Sequence, residues 1–389
     1  MIKRLLLIAL LFIPVFVVKA QNREKIKKQF NEISQAYDQQ RYAAVINKGE
    51  PLASSLDTIG QAYTDSVFIT TETLLSRSYY RLTQAAKAAE AVEKILERMK
   101  KLGMTGSDTF AFMLDNAGLY YLSSGDNEKA LQYSLAAQDS LMKVPGMDIG
   151  KHMSAIQIRL AEEYSALGKK QDAVIQEIKA LNMLDQIYGQ HSQEYIDELP
   201  YLAKYFRDAG QEKKATETET KVDRLQKEFD DGVRDVPDPN DRDLKSVDEC
   251  HKYRYEAYRC ADYYLSLNLN EGDITQRQNC VQYLIDWSQN SNDIRIVFNE
   301  EGAKLLEDDN GMFYALAYVA GCVKYAIENN DTTFSYDMYS SAMVDALNYY
   351  VNNRELTGKV KYFDKYVAAY KKGEDNLVAL LKKNYPVKK

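Results

Sequence analysis

The sequence is poor in the residues that interrupt helices, with 18 glycines and 7 prolines among 389 residues. A β sandwich joins many short strands through turns rich in Gly and Pro, so this scarcity argues against that class. The chain is 45% hydrophobic and 28% charged, which is typical of a globular protein and not of a disordered one. Because Ala, Leu, Lys, Glu and Gln are plentiful and favour helices, we expect an all-α protein.

Histidine and cysteine, which carry much of enzyme and metal chemistry, are also rare, with 3 and 4 residues. No H-E-x-x-H, C-x-x-C, Walker A, G-x-G-x-x-G or G-x-S-x-G motif occurs in the chain. His251 follows Cys250 directly, but neighbours on a helix point about 100° apart and make a poor nucleophile–base pair. We therefore predict a protein that is not an enzyme and has no catalytic residues, cofactor or metal site.

The four cysteines all lie in the second half of the chain, at Cys250, Cys260, Cys280 and Cys322. An exported protein meets an oxidising compartment, where disulfides are permitted. Four cysteines allow three sets of pairings, and spacing does not choose among them. Cys280–Cys322 and Cys250–Cys260 are the first pairs to test, with buried free thiols as the alternative.

The first 20 residues have the pattern of an export signal. A basic start is followed by 14 apolar residues from Leu5 to Val18, and then by a small-residue site that ends at Ala20. Pro14 interrupts the apolar run, which is shorter than the ~20 residues a spanning helix needs. We expect cleavage after Ala20 and an exported protein, periplasmic in the first instance and secreted as the alternative.

The net charge of the chain is −7, with acidic and basic residues mixed along its length. An acidic chain without a basic patch has no electrostatic reason to bind nucleic acid. No later apolar run reaches membrane-spanning length, so we expect no transmembrane segment once the signal is removed. The pattern predicts no particular oligomeric state.

A short pattern recurs four times in the first half of the chain. An aromatic residue is followed four positions later by Gly, or once by Gln, and five positions after that by Ala. Successive aromatics are 41, 43 and 42 residues apart. The copies are Tyr80, Gln84 and Ala89; Tyr121, Gly125 and Ala130; Tyr164, Gly168 and Ala173; and Phe206, Gly210 and Ala215.

This pattern predicts helix-turn-helix units that stack on one another, because one such unit buries little surface alone. Gly ends the first helix in a left-handed conformation, and Ala lets the second helix pack closely against the first. A mostly small residue stands three positions before each aromatic: Arg77, Gly118, Ala161 and Ala203. This residue allows the two helices to approach.

The stretch LDNAGLYYLSSGDNEKALQYSLAAQ, which begins at Leu114, resembles the tetratricopeptide repeat (TPR) family. The resemblance covers residues 65–229. It departs from the family pattern because the period is near 42 residues instead of 34, and because the early Trp and final Pro are absent. The resemblance implies a TPR-like helical-hairpin solenoid whose first helices line a concave binding face, followed here by a second helical domain.

The expected domains follow from these patterns. Residues 21–64 are predicted to form a helical cap or partial repeat before the TPR-like repeats at 65–229. The segment 230–243 is rich in Asp and Pro, which is typical of an acidic linker. It does not have the order of an EF-hand calcium loop, although Asp235, Asp238, Asn240, Asp241 and Asp243 could suggest one.

A Tyr-rich helical domain is expected at 244–389. Of the 30 tyrosines in the chain, 17 lie after residue 245. The helical period predicts helices at 246–266, 274–290, 298–307, 311–329, 333–353 and 359–383. Tyrosines at helical spacing, such as Tyr362, Tyr366 and Tyr370, are more often packed in a core than arranged as a binding cage. They also give a contact surface suited to binding.

The leading functional hypothesis is an exported scaffold that recognises a protein or peptide partner. The family resemblance places the partner-binding residues on the first helices, at Arg81, Asp115, Leu119, Leu122, Glu162, Ser165, Lys204 and Arg207. The alternative is small-molecule or glycan binding by the Tyr-rich carboxy-terminal domain, with the repeats as scaffold. A deep pocket lined by Tyr would favour the alternative.

Overall fold

The computed structural model describes residues 23–57, 62–147, 149–291, 294–307 and 309–387. The export signal predicted at 1–20 lies outside the described residues. Within the described ranges every regular element is a helix. The expected all-α class, with helical hairpins followed by further helices, is confirmed.

Helix α1 occupies 23–38 in the described part of the chain. The helices that follow it in the first half are α2 (Tyr42–Asp57), α3 (Ala62–Arg81), α4 (Ala85–Lys101), α5 (Asp108–Ser124), α6 (Asn127–Leu141), α7 (Lys151–Ala166), α8 (Lys170–Tyr188), α9 (Gln193–Asp208) and α10 (Glu212–Asp230).

The second half begins with a short 3-10 helix, Pro239–Asp241, inside the predicted acidic linker. Its α-helices are α11 (Val247–Lys252), α12 (Arg254–Ser266), α13 (Ile274–Asn290), α14 (Glu300–Ala303), α15 (Asp309–Asn329), α16 (Tyr336–Thr357), α17 (Lys361–Lys371) and α18 (Glu374–Asn384). The helices predicted at 246–266 and 359–383 are each broken in two. The breaks fall at Tyr253 and at Gly373, whose φ of 130° no helix contains.

Five tight turns of one kind join the first ten helices in pairs. Each of these turns contains one residue with positive φ. These residues are Gln40, Thr83, Gly125, Gly168 and Gly210, and successive ones are 43, 42, 43 and 42 positions apart. At Gly125 the next amide, Asp126 N–H, donates to the Tyr121 carbonyl at 3.0 Å, and Gly125 N–H donates to Leu122 at 3.0 Å. The other four turns repeat both bonds, so each first helix ends in a Schellman motif.

The turns correct the predicted register of the first copy by one residue. Its left-handed residue is Thr83, not Gln84, and the carbonyl that closes the turn belongs to Tyr79, not Tyr80. Tyr79 is 6% exposed and Tyr80 is 36% exposed, so Tyr79 is the packed aromatic. The residue three positions before Tyr79 is the buried Ser76. In the corrected register all four copies therefore have a small residue at this position, and the large Arg77 no longer occupies it. A turn of the same kind joins α1 and α2.

The chain divides into two compact units. The first comprises Met1–Asp148 with Ala155–Gln176, and the second comprises Ile149–Ser154 with Glu177–Lys389. The segment 230–243 therefore belongs to the second unit together with α9 and α10. The domain bounds drawn from the sequence stay a prediction.

In the first unit successive helices from α2 to α6 pack against their chain neighbours. In two copies the repeated aromatic ties its hairpin to the one before it. The Tyr121 hydroxyl donates to Glu93 of α4 at 2.6 Å, and the Lys129 ammonium lies 4.7 Å from the centre of the Tyr121 ring. Tyr79 repeats this arrangement, donating to Glu50 of α2. The stacking expected from the pattern thus has specific polar contacts as well as apolar ones.

The second unit has an aromatic core in which α12, α15 and α16 pack together. Trp287 and Tyr283 are 1% and 0% exposed, and Trp287 Nε1 donates to the Cys250 carbonyl at 2.8 Å. Helices α15 and α16 approach closely at Gly321, where a Cβ atom would lie 2.8 Å from Ala342 Cα. Aromatic rings thus fill most of the core, and a glycine allows the two helices to approach where they cross.

The four cysteines are buried free thiols. Burial raises the pKa of the Cys260 thiol well above its usual range, and the neighbouring Cys280 thiol raises it further. Burial also raises the pKa of the Cys322 thiol, and the neighbouring Tyr318 side chain opposes that rise. The structure therefore brings together Cys260 and Cys280, a pair that the spacing in the sequence did not put first.

Candidate functional site

A cavity of about 400 Å³ opens among α2, α3 and α4 of the first unit. Its floor is formed by buried side chains of α3, including Phe68, Leu75 and Tyr79. Its walls carry the charged side chains Glu50, Asp57, Lys87, Glu90 and Lys94. A cavity of this size lies within the range of ordinary ligand sites and could also hold side chains of a peptide.

One carboxylate belongs to the floor of this cavity. Glu72 is 3% exposed, and its nearest cation is the Lys94 ammonium at 3.5 Å. Burial raises the pKa of Glu72 above its usual value, and the charge of Lys94 opposes that shift without cancelling it. A positively charged ligand group would stabilise the ionised form of Glu72, and the ionised carboxylate would in turn stabilise the bound ligand.

The remaining charges of the cavity are unevenly compensated. Both lysines are engaged by the wall, Lys94 with Glu72 and Lys87 over the Tyr79 ring, 5.5 Å from its centre. Among the acids, Asp57 accepts from Arg98 at 2.5 Å, whereas Glu90 has no ion-pair partner in the described part of the chain. Four carboxylates and two ammonium groups line the cavity, so acidic side chains outnumber basic ones there.

The residues predicted from the family resemblance lie on a different surface. We call it the first-helix face and define it by the positions two before and one after each repeated aromatic. On α5 these are Leu119 and Leu122, both half-buried, and on α7 they are Glu162, which is exposed, and Ser165, which is half-buried. All four are accessible, as a contact surface requires.

Asp115 connects two first helices. Its carboxylate accepts from Arg159 of α7 at 2.8 Å and 3.3 Å, a two-pronged ion pair. This contact places α5 and α7 side by side, and it also occupies Asp115. The residue therefore stabilises the face more directly than it offers a free charge to a partner.

The corrected register changes the first copy of the face. Arg81 is exposed but stands two positions after Tyr79, so the equivalents of Leu119 and Leu122 are Arg77 and Tyr80. Both are exposed, and the Tyr80 ring lies 4.9 Å from that of Tyr120.

In the second unit Lys204 and Arg207 of α9 are exposed. Lys204 lies 5.7 Å from the centre of the Tyr205 ring. Arg207 is held by Glu212 and Glu219 of α10 at 3.2 Å and 2.8 Å, and these two acids raise its pKa. Arg207 is thus compensated within its own hairpin.

The acidic cavity was not predicted from the sequence. Its charged residues come from three helices and are spread from Glu50 to Lys94, so no local spacing connects them. The chain has 57 acidic residues, and only the stacking of hairpins selects four of them. The one feature of the sequence that points to the cavity is the spacing of the turns, because it places α2, α3 and α4 beside one another.

The described ranges contain no group of three His, Cys, Asp or Glu side chains arranged to hold a metal ion. Over the same residues no helix combines the length and apolar character needed to cross a membrane.

Many tyrosines of the carboxy-terminal half are packed in its core, whereas Tyr370 is 63% exposed. Tyr366 is 0% exposed, and the hydroxyls of Tyr264 and Tyr318 donate to backbone carbonyls at 3.0 Å. An apolar cavity lined in part by Tyr318 and Tyr362 encloses about 10 Å³, which holds about one water molecule. Tyr318 and Tyr362 therefore do not form the deep Tyr-lined pocket that would favour small-molecule or glycan binding.

No protein-family model matches the chain, and no curated protein matches it. Several solved structures are similar to it. A Podosopora anserina kinesin light chain protein of nearly identical TPR-like repeats aligns with 52% of this chain and 95% of its own, at 16% identity and a TM-score of 0.45.

BtubC (BKLC) from P. vanneervenii aligns with 53% of this chain and 80% of its own, at 16% identity and a TM-score of 0.45. The apo form of RapI aligns with 83% of this chain and 98% of its own, at 12% identity and a TM-score of 0.42. These similarities do not identify a ligand or partner. The chain is built of registered helical hairpins, and the Podosopora anserina structure to which it is similar is described as having TPR-like repeats.

Proposed function

We propose that the protein is an exported, non-catalytic scaffold that binds a partner protein through a positively charged segment. The observation that carries this proposal is the acidic cavity among α2, α3 and α4. A cavity of about 400 Å³ accommodates extended side chains, and its surplus of carboxylates selects basic ones.

Glu72 and Glu90 have different roles in this proposal. The buried Glu72 lies where a Lys or Arg side chain that enters the cavity would end, and desolvation strengthens a charge pair formed there. Glu90 is exposed on the wall and has no ion-pair partner among the described residues, so it attracts the incoming charge without first losing another contact. Together they give affinity and selection for basic partners.

The first-helix face is proposed as a second contact surface for the same partner. Leu119, Leu122 and the exposed Tyr80 supply apolar and aromatic area, and Arg77, Glu162 and Ser165 supply polar groups around it. Tyrosine in such a setting gives rigid contact area at low entropic cost. Asp115 positions α5 against α7 through Arg159, while Lys204 and Arg207 would extend contacts within the second unit.

Reversal of one wall charge tests the acidic cavity. We expect Glu90→Lys to weaken binding to Lys- and Arg-rich peptides by about tenfold or more, since a repulsive charge replaces an attractive one at the entrance. Binding to a peptide array that runs from strongly acidic to strongly basic sequences measures this. The wild-type protein is expected to retain basic peptides and to release them at high salt.

The matched control is Glu128→Lys, which makes the same charge change at an exposed position of α6 outside the cavity. If both variants weaken basic peptides equally, net charge and not the cavity determines the preference. If the wild-type protein shows no preference for basic peptides, the proposed function is wrong.

Export is the second part of the proposal, and it rests on the amino-terminal pattern alone. The intact mass of the protein isolated from its native cells is expected to correspond to a chain that begins at Gln21. A mass that retains residues 1–20, in protein recovered from the cytoplasm, would contradict it.

A further inference from the structure

A second cavity, of about 230 Å³, lies in the carboxy-terminal unit. It is bounded by the first turn of α9, by the segment that follows α10, and by one side of α12. Two arginines line it, Arg234 after α10 and Arg259 on α12. Their surroundings differ from those of Arg98 and Arg159, two buried or partly buried arginines that are paired with acids.

Arg234 is held by neutral groups. Its Nη1 atom donates to the carbonyls of Phe229 and Val233, both at 2.8 Å, and its guanidinium lies 3.7 Å from the centre of the Phe229 ring. In the described part of the chain it forms no ion pair. Burial lowers its pKa, and the more distant charge of Asp262 offsets this only in part. The guanidinium is therefore partly desolvated without a directly bound counter-charge.

Arg259 is in a similar position. Its Nη1 atom makes two long contacts, to the carbonyls of Asp185 at 3.3 Å and Gln186 at 3.4 Å. Its Nε–H is buried and has no hydrogen-bond partner. A buried donor without an acceptor is costly and is rare in folded proteins. An acceptor from a ligand would remove that cost.

Two of the three carboxylates that line the cavity are already engaged by other groups. Asp235 accepts from the His191 backbone N–H at 2.7 Å and faces its ring Nδ1 at 3.0 Å. Asp262 accepts from Lys324 at 2.6 Å. Glu194 is exposed in the first turn of α9, whose positive end also borders the cavity and favours anions.

We propose that this cavity binds a carboxylate group, held by the guanidiniums of Arg234 and Arg259. The planar fork of a guanidinium matches a carboxylate, and a charged acceptor gives stronger bonds than the present carbonyls. At about 230 Å³ the cavity is smaller than the ~300–1,000 Å³ typical of drug-sized ligands. It therefore suits a small organic acid or the terminal carboxylate of a peptide.

Calorimetric titration of the mature full-length chain tests this proposal with three probes: acetate, a short peptide with a free carboxy terminus, and the same peptide as its amide. Binding is expected for the free carboxylates and not for the amide. Arg234→Gln and Arg259→Gln are each expected to weaken carboxylate binding by about tenfold or more. Binding of acetate alone would assign the site to small acids, and binding of the free peptide alone to chain termini; both support the proposal.

Arg295→Gln, at an exposed position of the same unit, is the matched control and is expected to bind as the wild type does. The proposal is overturned if the amide binds as well as the acid, if no carboxylate binds, or if folded Arg234→Gln and Arg259→Gln variants bind as the wild type does. The comparison of acid with amide needs no variant and so stands even where a substitution prevents folding. Because the probes are acids and the cavity lies in the second unit, failure here leaves the basic-peptide proposal untouched.

Discussion

The Glu163→Gln variant is expected to gain about 3 kcal/mol in free energy of unfolding relative to the wild type as the pH rises from 4.5 to 8. Glu163 of α7 is 0% exposed. Its Oε1 atom accepts from Ser134 Oγ at 2.7 Å, and its Oε2 atom is buried without a partner. One hydroxyl donor does not compensate a buried carboxylate, so its ionisation costs stability.

The direction of the effect follows from proton linkage. Burial raises the pKa of Glu163 from 4.5 to about 7, against the smaller opposing effects of Ser134 and Arg159. Between these two values the folded chain holds a proton that the unfolded chain has lost, so the stability of the wild type falls as the pH rises. Above about pH 7 both states are ionised and the loss is complete. Glutamine has no such transition.

Urea denaturation followed by circular dichroism over this pH range measures the difference. The control is Glu162→Gln, which changes the exposed neighbour and is expected to follow the wild-type profile. Parallel profiles for the wild type and Glu163→Gln would show that the buried carboxyl does not titrate as described.

Gly118→Leu is expected to lower the free energy of unfolding by about 3 kcal/mol, as a result of overpacking between helices. A Cβ atom on Gly118 would lie 2.3 Å from Ser134 Oγ and 3.4 Å from the Ala130 carbonyl oxygen. Helix α6 would have to move away, and Ser134 would have to leave the position from which it donates to Glu163. The substitution therefore combines a steric cost with the loss of a buried hydrogen bond.

The thermal or urea midpoint of Gly118→Leu reports this loss. Gly106→Leu serves as the matched control, because Gly106 has no positive φ and no neighbouring atom within 4 Å of an added Cβ. A Gly118→Leu variant as stable as Gly106→Leu would contradict the close approach of α5 and α6.

The hairpin repeats were predictable because their signals are local. A left-handed residue, a small residue seven positions earlier and an aromatic four positions earlier act within one short stretch of chain, so they are visible in the sequence. The first copy was misplaced by one residue because Thr83 takes the left-handed conformation that the other copies assign to Gly, and because Tyr79 and Tyr80 are adjacent aromatics. The small Ser76 beside the large Arg77 was the remaining clue.

Glu163 shows what the repeat pattern does not convey. The residue before the repeated aromatic is Tyr120 in α5 and Tyr205 in α9, both 3% exposed, and Glu163 takes the same position in α7. The register therefore marks it as buried from the sequence alone. What it does not give is the missing partner of Oε2, which depends on the packing of neighbouring helices.

The two proposed binding sites depend on tertiary structure even more than the burial of Glu163 does. Glu50, Glu72 and Glu90 meet only because three helices stack in order, and Arg234 and Arg259 meet only because the segment after α10 returns to α12. Neither set has a spacing that distinguishes it from the many other charges of the chain. The predicted face, by contrast, depends on the family resemblance, and its role stays a prediction.

Hydrogen–deuterium exchange with and without a bound basic peptide tests the central claim most directly. We expect slower exchange in α2, α3 and α4 around Glu72 and Glu90, and no change in α12 around Arg259. The Glu90→Lys variant should lose this protection. Protection confined to the carboxy-terminal unit, or binding of the peptide without protection of α2 to α4, would contradict the assignment of the acidic cavity as the site of partner recognition.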